Sequence, residues 1–247
     1  MMMLEVDRLS KSFGGLMAIN QLSFSVHERE IVGLIGPNGS GKTTLFNLIS
    51  GLLKPDNGKI KLSGADITDL PCHKICQMGI ARTFQLTKPF AQMTSVGNVM
   101  VGKAFGCNST WSMKEARDEA ERILEFYGLK DKSMAKAGTL GIADRKRLEI
   151  ARALATNPKL LLLDEMMAGL TPTEVEEAMM LVKKIRDSGV TVIVVEHVME
   201  AILGISDRII AINVGEKIAE GPPKDVVYNE KVIEAYLGRE EDGKFSL

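Results

Sequence analysis

The sequence predicts an α/β fold built on a mostly parallel sheet, with a helical segment inserted in its middle. Three observations predict it. The buried-type run Ile31-Val32-Gly33-Leu34-Ile35 leads through a glycine-rich loop directly into a helix. Between about Gln85 and Asn157 the pattern becomes mostly helical. From residue 159 onward strands and helices alternate, and strands separated by helices pair in parallel.

Taken in order, Leu22, Phe24 and Val26 alternate with polar residues as a half-buried strand does. The run 31–35 reads as a strand covered on both faces. Leu45, Phe46, Leu48 and Ile49 give residues 42–50 a helical pattern, with Gly51 as its cap. Pro55-Asp56-Asn57-Gly58 is a turn before the strand Lys59–Leu62. A further strand is expected at Ile80–Phe84. Ser112-Met113-Lys114-Glu115 is a capping box for a helix carrying Ala116, Ala120, Ile123, Leu124 and Tyr127 up to Gly128. Another helix should run from about Ala143 to Thr156. The last third reads as strand 159–163, a helix opened by Thr171-Pro172-Thr173-Glu174, strand 190–195, a short helix and strand 208–213. Of the 14 methionines, Met93, Met100, Met113, Met179, Met180 and Met199 fall in predicted helices and are expected mainly to fill core.

At roughly 100–200 residues per domain, 247 residues suit one large α/β domain or two small ones. A composition of 45% apolar and 26% charged residues excludes a disordered chain. The 31 basic and 32 acidic residues leave a net charge of −1, so nothing in the composition suits a polyanion, and nucleic acid is not an expected partner. No run approaches the ~18 apolar residues of a membrane span. Met1-Met2-Met3-Leu4 meets Glu5 and Asp7 at once, which lacks the basic and apolar regions of a signal peptide and implies a cytosolic chain. Three cysteines suggest free thiols. Cys72 and Cys76 flank His73, but no second Cys/His cluster completes a four-ligand metal set.

Gly36-Pro37-Asn38-Gly39-Ser40-Gly41-Lys42-Thr43 has the Walker A spelling, placed between a buried strand and a helix as the motif requires. Small residues let backbone N–H groups close around nucleotide phosphates, and the helix beginning near Lys42 turns its unpaired N–H groups toward them. Lys42 is placed to neutralise the β/γ-phosphates, Thr43 to ligate Mg²⁺, and Thr44 to bond an α-phosphate oxygen. Leu160-Leu161-Leu162-Leu163-Asp164 has the Walker B form, which puts Asp164 near the metal. Glu165 follows as a candidate general base for the attacking water. No Asn-Lys-x-Asp guanine reader occurs. His197 ends a buried strand within reach of a γ-phosphate, and Gln85 lies where strand gives way to helix, placed to sense metal and water.

In order along the chain, Phe13, Gly36–Thr43, Gln85, a signature region, Asp164-Glu165, Ala168–Pro172 and His197 resemble the ATP-binding cassette ATPases over essentially the whole length. That resemblance implies a P-loop NTPase (RecA-like) core over residues 1–84 and 158–247, an N-terminal antiparallel β subdomain, and a helical subdomain over 85–157. It implies that Phe13 stacks on adenine, Gln85 is the Q-loop, Glu165 the catalytic base, His197 the switch histidine and 168–172 the D-loop. It further implies Mg²⁺-dependent ATP hydrolysis at the cytoplasmic face of the cell membrane, a second cassette, integral membrane permease subunits and, indirectly, an extracytoplasmic substrate-binding protein. Phe46–Gly51, Gly79–Gln85, Arg147–Leu154 and Ala235–Gly238 are similar to the ATP-binding subunits of branched-chain amino acid uptake systems. Related cassettes serve urea or amide uptake and lipopolysaccharide export. Soluble cassette ATPases acting on DNA or ribosomes usually carry a coiled-coil insertion or a second cassette, and neither occurs in this sequence. A nonhydrolysing subunit is opposed by Lys42, Asp164, Glu165 and His197.

One departure stands out. The family signature Leu-Ser-Gly-Gly-Gln aligns with Leu140-Gly141-Ile142-Ala143-Asp144, without the hydroxyl, both of its glycines or the glutamine. Such a segment is expected to serve a partner's γ-phosphate poorly, with Asp144 adding like charge that Arg145, Lys146 and Arg147 partly offset. The expected partner is therefore a different cassette with an intact signature. Met166 stands where the family commonly has proline. The segment Leu86–Thr94, with Pro89 and Phe90, is the candidate permease contact.

Overall fold

The computed structural model describes residues 1–85, 89–107 and 112–237. Leu86, Thr87 and Lys88 of the candidate permease contact, and Gly238 of the C-terminal segment, lie outside the described residues. Two sheets form. Strands β1 (Met2–Phe13), β2 (Leu16–His27), β4 (Asn57–Leu62) and β5 (Ala65–Asp66) make an antiparallel sheet in the order β2-β1-β4-β5. Strands β3 (Ile31–Ile35), β6 (Ile80–Arg82), β7 (Leu160–Asp164), β8 (Thr191–Val195), β9 (Arg208–Asn213) and β10 (Glu216–Gly221) make the second, in the order β10-β9-β3-β8-β7-β6. Its pairs are parallel except for β10 on β9.

The unbroken apolar spelling of the central strands follows from burial on both faces. Along β7, Leu161 and Leu163 enter one core cluster while Leu160 and Leu162 enter another. Val192 and Val194 of β8 likewise oppose Ile193 and Val195. The second cluster fills the space between the sheets and is closed by α1 (Lys42–Ile49), whose Leu45, Phe46, Leu48 and Ile49 are buried. The first cluster is covered by α3 (Ser95–Phe105), α4 (Met113–Phe126), α5 (Ile142–Leu154), α6 (Pro172–Asp187) and α7 (Met199–Ile205). Helices α2 (Cys72–Met78), α8 (Pro223–Val227) and α9 (Glu230–Leu237) complete the described helices. Cys72 and Cys76 both stand on α2 as free thiols.

Local chemistry sets the helix starts. Ser112 accepts from the Glu115 N–H, and Thr171 with Glu174 forms a complete capping box with Pro172 in the first turn. Strand β6 stops at Arg82, two residues before the expected end, because the Phe84 N–H is taken by Glu149 Oε1 of α5 at 2.9 Å. The methionines divide. Met100, Met179 and Met199 pack on the core, whereas Met113 and Met180 are exposed on the outer faces of their helices. Among the described residues no helix is long and apolar enough to cross a membrane.

Candidate active site

The loop after β3 is shaped by glycines that nothing larger could replace. Gly36 has φ +155°, and a Cβ there would lie 2.1 Å from the Ile212 carbonyl oxygen. Gly41, at φ +106°, would place a Cβ 2.5 Å from the Ala18 carbonyl oxygen on β2. Gly41 is also the N-cap of α1 and offers no side-chain cap, so the first-turn N–H groups of α1 are left to a ligand. Pro37, Asn38 and Gly39 form the outer rim, and the buried Ser40 hydroxyl has no hydrogen-bond partner. Lys42 is buried, and its Nζ donates to the carbonyls of Gly36 at 2.6 Å and Pro37 at 2.9 Å. Burial pulls its pKa down, against the pull of Glu165 and Asp164 in the other direction. Thr43 is exposed and Thr44 half-buried on the first turn of α1.

Opposite the loop, β7 delivers Asp164 and then Glu165. Asp164 is buried, and its Oδ2 accepts from Arg82 Nη2 at 2.9 Å, while its N–H donates to Thr83 Oγ1 at 3.1 Å. Oδ1 is left without a protein donor among the described residues. Arg82 also donates to Asn47 Oδ1 at 2.6 Å, and its guanidinium carbon lies 5.4 Å and 5.1 Å from the ring centroids of Phe46 and Phe84. Glu165 adopts φ +49°, an uncommon conformation for a side-chain-bearing residue, with its N–H bonded to Val195 O. Its two carboxylate oxygens meet Gln85 Nε2 at 2.6 Å and His197 Nε2 at 2.8 Å. Gln85, Glu165 and His197, separated by 80 and 32 residues in sequence, therefore form one cluster. Phe13 sits at the turn between β1 and β2, 46% exposed, with Lys11 Nζ 5.8 Å from its ring centroid.

Several site residues have no sequence motif to announce them. Lys146 of α5 donates to the carbonyls of Glu165 at 3.2 Å and Ala168 at 2.6 Å. Glu196 is buried at the end of β8, accepts from the Met167 N–H at 2.8 Å, and is pushed up to about 7 chiefly by burial. Its adjacency to His197 is the only sequence signal. Met166 and Met167 are both buried in the core beside α5 and α6, so the residue after Glu165 acts as apolar filling.

Residues 140–144 lead into the first turn of α5. Gly141 is the uncapped N-cap of α5, and Ile142 is 64% exposed. Asp144 pairs with Lys132, not with the three basic residues that follow it. Arg145 donates to Gly138 O, Lys146 turns inward to Glu165 and Ala168, and Arg147 pairs with Glu177. Sequence neighbours on a helix point to different faces, so these four side chains find separate partners.

The family model described as ABC transporter matches residues 19–168, more than half of the chain, spanning the glycine loop, Gln85, the 140–144 segment and Asp164-Glu165. The chain belongs to the ABC transporter family. A second model, described as Branched-chain amino acid ATP-binding cassette transporter, matches residues 216–242 of this cassette. The cassette is 41% identical to the high-affinity branched-chain amino acid transport ATP-binding protein BraF of Pseudomonas aeruginosa, over 95% of this chain and 97% of that one. A solved ADP conformation of an ATP-binding cassette of an ABC transporter superposes with a TM-score of 0.89 at 34% identity, covering 97% of this chain and 100% of that one. A dimeric post-hydrolysis cassette bound to ADP and Pi gives a TM-score of 0.80 at 29% identity, over 90% and 99%. The fold is accordingly that of a P-loop NTPase ATPase cassette.

The cassette's residues fit the groups such a site takes. Uncapped N–H groups, the orphaned Ser40 hydroxyl and glycine positions that a Cβ would fill suit phosphate. Thr43, Gln85 and Asp164 are all oxygen donors, which suits a hard cation such as Mg²⁺.

Proposed function

We propose that this cassette binds and hydrolyses ATP to power import of branched-chain amino acids through a separate membrane permease. The observation that carries the hydrolytic part is Glu165, held between Gln85 and His197 one residue after a buried Asp164. The cargo reading draws on the branched-chain model over residues 216–242 and on the name of BraF. Residues 1–84 and 158–247 serve as the nucleotide-binding core and 85–157 as the helical subdomain bearing the signature.

Lys42 leaves the Gly36 and Pro37 carbonyls to neutralise the β/γ-phosphates, while residues 36–44 cradle the phosphates by backbone N–H groups. Phe13 stacks on the adenine. Thr43, Gln85 and Asp164 would hold Mg²⁺, which when bound neutralises charge on the β- and γ-phosphate oxygens. Glu165 accepts the proton of the attacking water, and His197 donates toward the γ-phosphate. A second cassette supplies its signature across the nucleotide, and loss of the γ-phosphate reopens the pair. Permease subunits seat this chain at the cytoplasmic face of the membrane, with a substrate-binding protein outside.

Glu165→Gln is the direct test. ATP binding should be retained while hydrolysis falls by roughly 10²–10⁴, the usual contribution of a general base. Near-wild-type turnover in that variant would remove Glu165 from the role. Uptake of labelled leucine by vesicles carrying the assembled system tests the cargo.

A further inference from the structure

Tyr236 on α9 reaches the phosphate loop across 200 residues of sequence: the Gly36 N–H donates to its hydroxyl at 2.9 Å. Gly36 opens the loop and has no freedom to carry a side chain, since a Cβ would meet both Ile212 O and Ser40 Oγ. Its carbonyl accepts from Lys42 Nζ. The peptide on one side of Gly36 is thus tied to the catalytic lysine and that on the other to the C-terminal helix. Lys42 must release the carbonyl to meet phosphate, whereas the Tyr236 bond asks nothing of the nucleotide and can persist.

Helix α9 is seated to serve as a fixed support. Val232 is buried in the core, and the helix borders an apolar cavity of about 230 Å³ lined also by Ile35, Val227 and Met199. Ile35 is the residue before Gly36, and Met199 begins α7 two residues after His197. The same helix therefore shares one cavity with residues flanking the phosphate loop and His197, and itself packs on β10 and α8.

We infer that Tyr236 is a positioning residue for nucleotide binding, its hydroxyl fixing the first peptide of the phosphate loop in the shape that receives ATP. The C-terminal segment then tunes ATP affinity, a role separate from cargo. This rests on the reading of the loop as an ATP site. The net worth of one neutral hydrogen bond corresponds to about a three- to tenfold change in an equilibrium constant.

The test compares full-length wild type with Tyr236→Phe, which keeps the ring and loses the acceptor, and with Tyr236→Leu. Both variants should bind ATP about three- to tenfold more weakly. Amide exchange should quicken in residues 31–44 and stay unchanged elsewhere, the melting temperature should hold, and in the assembled transporter KM should rise with kcat kept. Lys42-dependent ATP binding that Tyr236→Phe leaves unaltered would overturn this inference alone. So would a loss of affinity accompanied by lower melting temperature and faster exchange throughout, which marks a merely structural role. Wild-type binding that ignores Lys42→Ala would overturn the ATP-site reading and this one with it.

Discussion

Arg82 decides how Asp164 is presented. Its guanidinium is 6% exposed and the partner carboxylate 5%, so the pair lies out of water between the Phe46 and Phe84 rings. Removing one member of a buried pair leaves the other uncompensated, at a cost of roughly 3–5 kcal/mol. Arg82→Met should therefore lower the unfolding free energy by about that amount, and Asp164→Asn added to it should restore part of the loss without restoring hydrolysis. Denaturant unfolding of the two single variants and the double variant measures the coupling, and strict additivity would dissolve the pair as a unit. Arg82 illustrates the limit of legibility at this scale. The residues that announce themselves, Lys42, Asp164 and Glu165, do so through short local spacings that phosphate chemistry imposes. Arg82 is fixed by partners at 47 and 164, and no spacing within its own strand encodes them.

Helix α5 links two separate segments of the site. Glu149 holds the Phe84 N–H just before Gln85, and Lys146, almost one turn earlier, holds the carbonyls of Glu165 and Ala168. The helix whose N-terminus carries residues 141–144 is thus bonded to both segments that bear the Gln85 and Glu165 pair. Glu149→Ala leaves the Phe84 N–H without its acceptor, a loss on the order of 1–3 kcal/mol if the site stays dry. Because the phosphate loop is untouched, hydrolysis should fall while ATP affinity remains near that of wild type. Equilibrium binding of a fluorescent ATP analogue beside steady-state hydrolysis separates the two, and an equal fall in both would place Glu149 in general packing. Elements of this kind were largely legible. The two-faced strands and the capped helices α4 and α6 follow from apolar runs and cap residues that act within a few positions. The end of β6 was not, because a side chain 65 residues away terminates it.

At the scale of the whole molecule, the proposed function would have one cassette bring Lys42, Asp164, Glu165 and His197 to one ATP and residues 140–144 to another. In a pair with a cassette of intact signature, the first site has all its donors and the second lacks those of the altered segment. A missing donor in such a site costs on the order of 10²–10³ in rate. The structure makes repair of the segment feasible. A Cβ at Gly141 meets nothing within 4 Å, so Gly141→Ser adds the hydroxyl without a clash. Ile142 is already exposed, so Ile142→Gly removes no core, and Asp144→Gln gives up only an ion pair to a half-exposed Lys132. With Ala143→Gly, the helix-propensity loss in the first turn of α5 is about 1–2 kcal/mol, partly offset by a serine N-cap. The fourfold variant should thus fold. Measured in the pair with Glu165→Gln on the same chain, which silences the first site, the residual hydrolysis belongs to the second. Restoring 141–144 should raise that residual rate at least tenfold, because the added hydroxyl and the unhindered N–H groups act on the partner's nucleotide and on nothing in this chain's own site. An unchanged residual rate would mean that the altered segment does not limit the second site, and the asymmetry would have to originate elsewhere in the pair.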